Sequence, residues 1–241
     1  MRTTTERTVK ELVLENPDVA RIFEKLGIDY CCGGNRSLDE ACRAANLPMG
    51  KVLNSLKMAG QCEQPAKDAR DWQNEPLADL ISHIQGTHHR YTREEIARLV
   101  PLFAKVCSQH EEKHPELLHL RAIFAALAQE LTVHMMKEEM VLFPYIERVE
   151  EAFIQKETVL PPPFGSAQNP ITMMEHEHDS AGKQLREMRK VSNDYMPPAD
   201  ACLSYETLFT ALAAFEADLH LHIHLENNIL FPRAIAMEKA G

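Results

Sequence analysis

One eleven-residue pattern occurs twice in this sequence, and this duplication constrains the fold more than any other feature. His134 to Pro144 and His222 to Pro232 both have the form H-x3-E-x4-F-P, 88 residues apart. A further histidine precedes each copy at a similar distance, since His89 lies 45 residues before His134 and His178 lies 44 before His222. The spacing predicts two helical hairpins, each with one histidine on its first helix and a His–Glu pair on its second.

The fold class that this predicts is all-α. Apolar residues recur at i, i+3, i+4 and i+7, and proline-rich breaks separate four long segments. Glycine is scarce, with 9 residues, and aromatic residues make up only 6%, which disfavours a strand-rich fold. Four helices with three connections indicate a four-helix bundle. The predicted bundle helices are 77–109, 116–150, 170–192 and 203–238.

The first 60 residues predict a separate small helical domain. Helices are expected at 17–26, at about 37–46 and at 48–60, with a glycine-rich turn, Cys31-Cys32-Gly33-Gly34, between the first two. Polar residues and two prolines at 61–76 predict a linker. The expected domains are therefore 1–60, the linker 61–76, and the bundle 77–241.

Helix geometry turns the duplicated pattern into a predicted metal site. Residues i and i+4 lie on one face of a helix, so each His–Glu pair can approach the same ion. Two bridging carboxylates and four imidazoles supply about four donors to each of two ions, which leaves positions for an oxo bridge or an exogenous ligand. A His/Glu donor set without thiolate suits iron or manganese better than structural zinc. The predicted ligands are His89, His134, Glu138, His178, His222 and Glu226.

Other histidines leave alternatives open at this stage. A single H-x3-E pair is usually a surface ion pair, so it is the duplication of the pair that indicates a metal site. His88 and His176 neighbour two predicted ligands and are their main rivals, although we expect both to be surface groups. His220 and His224 are expected to face solvent or to orient ligands. His110 is a candidate for the edge of the site.

The adjacent thiols of Cys31 and Cys32 allow two readings. Adjacent cysteines do not easily form an unstrained mutual disulfide. They are either two small residues in a turn, or a reactive or metal-contacting pair beside helix ends. The remaining cysteines are isolated and receive no role: Cys42, Cys62, Cys107 and Cys202.

Charge and hydropathy exclude several classes of partner. With 26 basic and 36 acidic residues the net charge is −10, so the chain lacks the cationic surface that non-specific phosphate binding needs. No apolar run approaches the ~18–20 residues that span a bilayer. The first 17 residues contain no continuous apolar core of a secretory signal. We therefore expect a cytoplasmic protein that binds neither nucleic acid nor membrane.

Several motifs together resemble the Repair of Iron Centres family, di-iron haemerythrin-like proteins of the bacterial response to nitrosative and oxidative stress. The resemblance covers nearly the full length. It rests on Asp29-Tyr30-Cys31-Cys32-Gly33-Gly34, His134-Met-Met-Lys-Glu138-Glu139, Leu142-Phe143-Pro144, Glu177-His178-Asp179, Leu225-Glu226-Asn227-Asn228 and Leu230-Phe231-Pro232-Arg233.

The resemblance implies an antiparallel haemerythrin-like bundle that holds two non-haem irons on the same six ligands, with Glu138 and Glu226 as bridges. It also implies repair of damaged iron–sulfur clusters, with iron–sulfur proteins as partners and reactivity toward NO or O2. Oxygen-carrying haemerythrins end on H-x4-D, whereas both motifs here are H-x3-E, which argues against simple reversible oxygen transport. A homodimer is left open.

Three functions follow as hypotheses. The first is a stress-response protein that donates iron to damaged clusters, with Cys31 and Cys32 assisting the transfer. The second is an enzyme that reduces nitric oxide at the same di-iron site. The third is a haemerythrin-type sensor or carrier of O2 or NO.

Overall fold

In the computed structural model of the chain, the described residues form helices joined by loops and turns. No β-strand forms among the described residues, and an isolated bridge pairs Thr8 with Ser37. The all-α prediction is confirmed. Pro17, Cys32, Cys62 and most of the predicted linker lie outside the described residues, which are 4–16, 18–31, 33–59, 70–160 and 162–240.

The described residues of the N-terminal region form four short helices. The first of them was not predicted, although Thr8 and Glu11 form a capping box at its start. A second capping box, between Ser37 and Glu40, begins the third helix as predicted. These helices surround a small apolar core around Phe23, which is fully buried. Their bounds are α1 Val9–Glu15, α2 Asp18–Leu26, α3 Leu38–Ala44 and α4 Met49–Ala59.

Four long helices form an antiparallel bundle, and three of them contain a π-helical turn. Helix α5 comprises Leu77–His83, the π-turn Ile84–His89 and Arg90–His110. Helix α6 comprises Glu116–Lys137, the π-turn Glu138–Leu142 and Phe143–Gln155. Helix α7 is Gln168–Val191. Helix α8 comprises Leu203–Leu225, the π-turn Glu226–Leu230 and Phe231–Ala240.

Proline accounts for the π-turns in α6 and α8. Pro144 and Pro232 have no backbone N–H and cannot continue a regular i to i−4 ladder. In both helices the phenylalanine before the proline donates its N–H one residue further back, from Phe143 to the carbonyl of Glu138 and from Phe231 to that of Glu226. The F-P ending of the duplicated pattern thus widens the helix directly after each glutamate. Such π-turns are common at functional sites.

The bundle core consists of two apolar clusters with the predicted site between them. Helix α6 packs on α7, and α8 packs on α5. One cluster includes Leu99, Phe124 and Phe215, and the other includes Ile84 and Phe231. Along α5, α6 and α7 the predicted ligands fall between these two clusters, as Glu226 does on α8, where His222 lies at the edge of the first cluster; polar groups there are shielded from water on both sides. Within the described residues, no helix is both long and apolar enough to cross a membrane.

Candidate metal centre

All six predicted ligands meet in one buried layer of the bundle. Each of the six side chains is at most 4% exposed, and both glutamates are completely buried. They form two groups that share the glutamates. The His89 half-site contains His89 and His222, the His134 half-site contains His134 and His178, and Glu138 and Glu226 belong to both.

Each glutamate directs one carboxylate oxygen toward each half-site. Glu138 Oε2 lies 3.4 Å from His89 Nε2, and its Oε1 lies 3.3 Å from His134 Nε2. Glu226 Oε1 lies 3.0 Å from His222 Nε2, and its Oε2 lies 3.1 Å from His178 Nε2. This is the arrangement of two carboxylates that bridge a pair of ions.

Distances within each half-site fit one first-row transition-metal ion. Nε2 of His89 and Nε2 of His222 are 3.1 Å apart, and those of His178 and His134 are 3.0 Å apart. Two ligands bound at about 2.1 Å lie about 3.0 Å apart at a right angle and about 3.4 Å apart at a tetrahedral angle. The nitrogen pairs, and the glutamate oxygens that face them at 3.0–3.4 Å, are therefore close enough together to bind one ion in each half-site.

The buried glutamate oxygens also need positive charge beside them, from a bound cation or from protonated imidazoles. Both oxygens of Glu138 and Oε2 of Glu226 are buried with no hydrogen-bond partner among the described residues. A buried carboxylate is costly unless opposite charge faces it, and the imidazole nitrogens at 3.0–3.4 Å supply that charge only when they are protonated. A pair of cations between the two carboxylates removes that cost.

Protons on the imidazoles can balance the same charge when no cation is bound. Burial by itself would lower the pKa of His134, but the charges of Glu138 and Glu226 raise that pKa to about 9. For His222 burial prevails and the pKa is lowered. Burial opposes ionisation of Glu226 as well, yet His222 and His178 hold the pKa of Glu226 well below its usual value. Metal binding at this site must therefore displace protons.

Three of the four ligand histidines have their second ring nitrogen fixed by a hydrogen bond. His89 Nδ1 donates to Glu139 at 2.7 Å, and His178 Nδ1 donates to Asn227 at 2.8 Å. These acceptors directly follow the two bridging glutamates, so the duplication extends to them. His134 Nδ1 donates to Glu177 at 2.8 Å. Such partners fix the ring and raise its strength as a ligand.

The fourth ligand histidine, His222, lacks this support. Its Nδ1 is buried and has no partner among the described residues. The residue that corresponds to Glu177 in the other half is His88, and its ring lies parallel to that of His222 with centroids 5.7 Å apart. His88 Nδ1 instead donates to Asp218 at 3.0 Å. The expected surface position of His88 is wrong, because this pair and the stacked ring bury it to 5% exposure.

The other candidate histidines lie outside the ligand layer. His176 is exposed, as expected. His110 approaches Cys202 Sγ at 3.1 Å near the opposite end of α5, away from the site. His224 is buried rather than solvent-facing, and burial lowers its pKa to about 4. His220 is half-buried and donates to Glu24 of α2 at 2.8 Å.

The N-terminal region contacts α8 beside the bridging Glu226. Asn228 donates to the carbonyls of Tyr30 and Cys31, both at 3.4 Å, and to His224 at 3.0 Å. The Cys31 side chain is 5% exposed and belongs to the apolar cluster of the bundle. The Cys31 backbone thus contacts α8 at Asn228, two residues after the predicted ligand Glu226. Cys32, the other candidate thiol, lies outside the described residues.

Residues that support the ligands were not predicted in these roles. Glu139, Glu177 and Asn227 each lie next to a predicted ligand in the sequence. An acceptor side chain at such a position was the signal that could have identified them. Asp218 gave no such signal, because it meets His88 only through the packing of α8 on α5.

Known families match both parts of the chain. Residues 80–234 match the model of the Hemerythrin HHE cation binding domain, and residues 5–59 match a Domain of Unknown function, DUF542. The iron-sulfur cluster repair protein YtfE of Pectobacterium atrosepticum is 36% identical over 97% of this chain and 98% of its own. A probable iron-sulfur cluster repair protein of Haemophilus influenzae is 34% identical over 95% of this chain and 97% of its own. YtfE of Escherichia coli O8 is 36% identical over 97% of this chain and 98% of its own.

Proposed function

Because the chain belongs to the hemerythrin HHE family, and its relatives named iron-sulfur cluster repair proteins match it over nearly their whole length, we propose that it repairs damaged iron–sulfur clusters by donating iron. Its partners are then iron–sulfur proteins that have lost part of a cluster. We assign the metal to His89, His134, Glu138, His178, His222 and Glu226 as two non-haem irons.

The observation that carries this proposal is the pair of half-sites that share two carboxylates. Six protein ligands for two ions leave coordination positions unfilled, so each ion is held by few bonds and an incoming ligand can reach it. A purely structural metal site would be expected to have a complete set of protein ligands. Two ions on shared carboxylates are suited to release, because loss of one leaves both bridging groups in place for reloading.

The residues around the site bind the iron and balance its charge. Bound iron supplies redox-active and Lewis-acidic chemistry. Glu138 and Glu226 neutralise the cations, while Glu139, Glu177 and Asn227 keep three imidazoles oriented. Without bound metal, protons on the imidazoles would balance the charge of the two carboxylates, which is why the pKa of His134 is raised beside Glu138 and Glu226. The two flanking apolar clusters limit the access of water to the site.

The N-terminal region is proposed to take part in the transfer. We treat residues 1–60 and 77–241 as two domains, with 61–76 as their linker. Asn228 connects the Tyr30–Cys31 backbone to the helix turn that carries Glu226. Thiolates are ligands for iron, and the Cys31 backbone contacts Asn228, two residues after Glu226, so we propose that Cys31 and Cys32 assist the transfer of the released ion.

A direct test combines metal analysis with cluster rebuilding. The anaerobically purified full chain is analysed for iron and by Mössbauer spectroscopy, and is then mixed, with a reductant, with a purified protein whose [4Fe–4S] cluster has lost one iron by oxidation, so that rebuilding needs only Fe2+ and one electron. About two coupled irons per chain, and a return of cluster absorbance that consumes them, support the proposal. One iron, mainly zinc, or an unrepaired cluster contradicts it.

The unfilled coordination positions also favour a second candidate, binding or reduction of nitric oxide. Two adjacent irons could each take one NO, and a reductant would be needed for turnover to nitrous oxide. Reversible binding of O2 or NO without turnover would instead indicate a sensor or carrier. Nitrous oxide production by the loaded protein with a reductant separates these cases. We place all of these activities in the cytoplasm.

A further inference from the structure

A second cluster of nucleophilic and titratable side chains lies at the end of the bundle away from the metal layer. Helix α5 ends at His110, and α8 begins directly after Cys202. The Sγ of Cys202 lies 3.1 Å from Nε2 of His110, so the thiol and the imidazole can share one proton. His110 comes 21 residues after the ligand His89, which at about 1.5 Å per residue places the pair roughly 30 Å from the ligand layer.

Side chains from three segments of the chain converge on this pair. The ring of Tyr205, in the first turn of α8, meets the His110 ring edge-on with centroids 5.3 Å apart. The ring of His114, in the turn before α6, lies 6.3 Å from that of His110. His114 in turn contacts Oδ1 of Asp200 at 3.0 Å, in the connection that leads to α8. The pair of sulfur and imidazole is therefore part of a packed group, and His110 is held against Cys202 from two sides.

The other described cysteines are in different surroundings. Cys107 lies one turn before His110 on α5, but its side chain is 1% exposed and contacts the carbonyl of Leu117. Cys42 is 2% exposed in the N-terminal core, and burial raises the pKa of both of these thiols. Cys31 is buried as well. Among the described cysteines, Cys202 is thus the one whose side chain is only half-buried.

A half-buried thiol with a base at hydrogen-bond distance is the usual arrangement of a nucleophilic cysteine. The thiolate is the reactive form, and a neighbouring imidazole supplies it by taking the thiol proton. His110 can also return that proton to a leaving group, because its Nε2 faces the sulfur at which the bond is made.

The surroundings of Cys202 favour a small, uncharged electrophile. Its sulfur is half-buried, and His114 holds Asp200 and Glu116 nearby, at 3.0 and 3.1 Å. These carboxylates, on a chain with a net charge of −10, repel anionic disulfides. Hydrogen peroxide carries no charge and is small enough to reach such a sulfur.

We propose that Cys202 is a peroxide-reactive thiol for which His110 is the base. The proton of the thiol passes to Nε2 of His110 while Sγ attacks one oxygen of hydrogen peroxide. The S–O bond forms, the O–O bond breaks, and the leaving oxygen takes the proton from His110 and departs as water. The sulfur is oxidised by two electrons to a sulfenic acid, the peroxide is reduced to water, and an added dithiol restores the thiol.

Trapping of the sulfenic acid tests the proposal on the full chain with its metal in the ferric state, so that ferrous iron does not consume the peroxide. Hydrogen peroxide is added near neutral pH together with dimedone, which forms a stable adduct with sulfenic acids. Catalase stops the reaction at set times, and mass spectrometry of the peptides gives the adduct at each cysteine. We expect Cys202 to be labelled at least tenfold faster than Cys42 or Cys107.

Variants of the base separate catalysis from packing. H110A should slow the labelling of Cys202 about tenfold, and added imidazole should restore part of the rate, which a purely structural role of His110 would not allow. H110Q, which keeps a polar side chain but has no base, covers the case that H110A does not fold. H119A is the matched control, because His119 is an exposed histidine of α6 and should not affect the rate. C202S should lose this adduct and keep the iron content of the wild type.

Labelling of Cys202 no faster than that of Cys42 and Cys107, or an unchanged rate in both H110A and H110Q, overturns the inference. A slow H110A that imidazole does not accelerate overturns the role of His110 as the base. The inference does not depend on the proposed function, so C202S should rebuild damaged clusters at the wild-type rate. Failure of the wild-type chain to rebuild clusters would contradict only the proposed function.

Discussion

Glu150 and Glu238 lie 88 positions apart and perform the same task in the two halves of the bundle. Glu150 accepts the backbone N–H groups of Leu77 and Ala78 at 2.6 and 2.9 Å. Glu238 accepts the N–H of Ala167 at 2.9 Å. Each carboxylate therefore caps the first helix of its own hairpin from the end of the second. Neither Pro76 nor Ala167, the residues at these helix starts, supplies a side-chain cap of its own.

Removal of this cap should destabilise the bundle. A hydrogen bond to a buried charged group contributes about 1.5–3 kcal/mol, and a carboxylate at a helix N-terminus also interacts with the helix dipole. We expect E150A to lower the free energy of unfolding by about 2–3 kcal/mol in urea titrations. E147A, an exposed glutamate on the same helix, is the control and should change it by less than about 0.5 kcal/mol. Equal effects of the two variants would refute the capping role.

The bridging role of the two glutamates is tested by iron content. Glu138→Ala or Glu226→Ala removes one oxygen from each half-site, so both ions lose a ligand. We expect each variant to retain less than half of the wild-type iron while its circular dichroism still shows the helical spectrum. Full iron content in both purified variants would show that the glutamates are not bridges.

The helices and the ligand layer were predictable because both follow from short-range rules. The four long helices begin and end within a few residues of their predicted bounds, and the family resemblance is confirmed by the matches over nearly the whole chain. Spacing along one helix and the repeat identified which histidines share a face. The sequence pattern did not indicate which histidines share a half-site, because that depends on how α5 packs on α8.

The parts that were missed depend on tertiary contacts or on weaker local signals. Helix α1 has seven residues, and its Thr8–Glu11 capping box was overlooked. His88 was expected on the surface, but Asp218 of another helix gives it a buried partner. The caps by Glu150 and Glu238 could have been found by extension of the 88-residue repeat beyond the F-P motif, since both positions hold glutamate.

Gly34 tests the contact between the N-terminal region and the bundle. A Cβ at this position would lie 2.8 Å from the carbonyl oxygen of Tyr30 and 3.2 Å from Oδ1 of Asn228. Since these atoms belong to a packed contact with α8, G34A should cost about 1–3 kcal/mol of stability. The control is G50A in α4, where a Cβ meets nothing within 4 Å, and which should be neutral or gain up to about 1 kcal/mol. Urea titrations measure both, and a stable G34A would mean that this contact is loose.

Removal of the metal should lower the thermal stability of the whole bundle. Six buried ligands from four helices lose their common partner, and binding at a hundredfold excess over the dissociation constant contributes about 2.7 kcal/mol. For a chain of this size that corresponds to a fall in Tm of roughly 5–10 °C after chelation. The E138A/E226A double variant supplies the control, because its Tm should not respond to the chelator. An unchanged Tm of the loaded wild-type protein would count against a metal that links the helices.

The role proposed for the thiols separates transfer from metal binding. Cys31 is buried against the bundle, and its backbone contacts Asn228 rather than any of the six ligands, so its sulfur is not needed to hold the pair of irons. We therefore expect C31A/C32A to keep two irons per chain and the absorption of the di-iron centre, while the rate of cluster rebuilding falls at least fivefold. C42A, at a buried cysteine of α3, is the control for loss of a thiol from the N-terminal core. Unchanged rebuilding by C31A/C32A would remove both thiols from the mechanism and assign the transfer to the bundle alone.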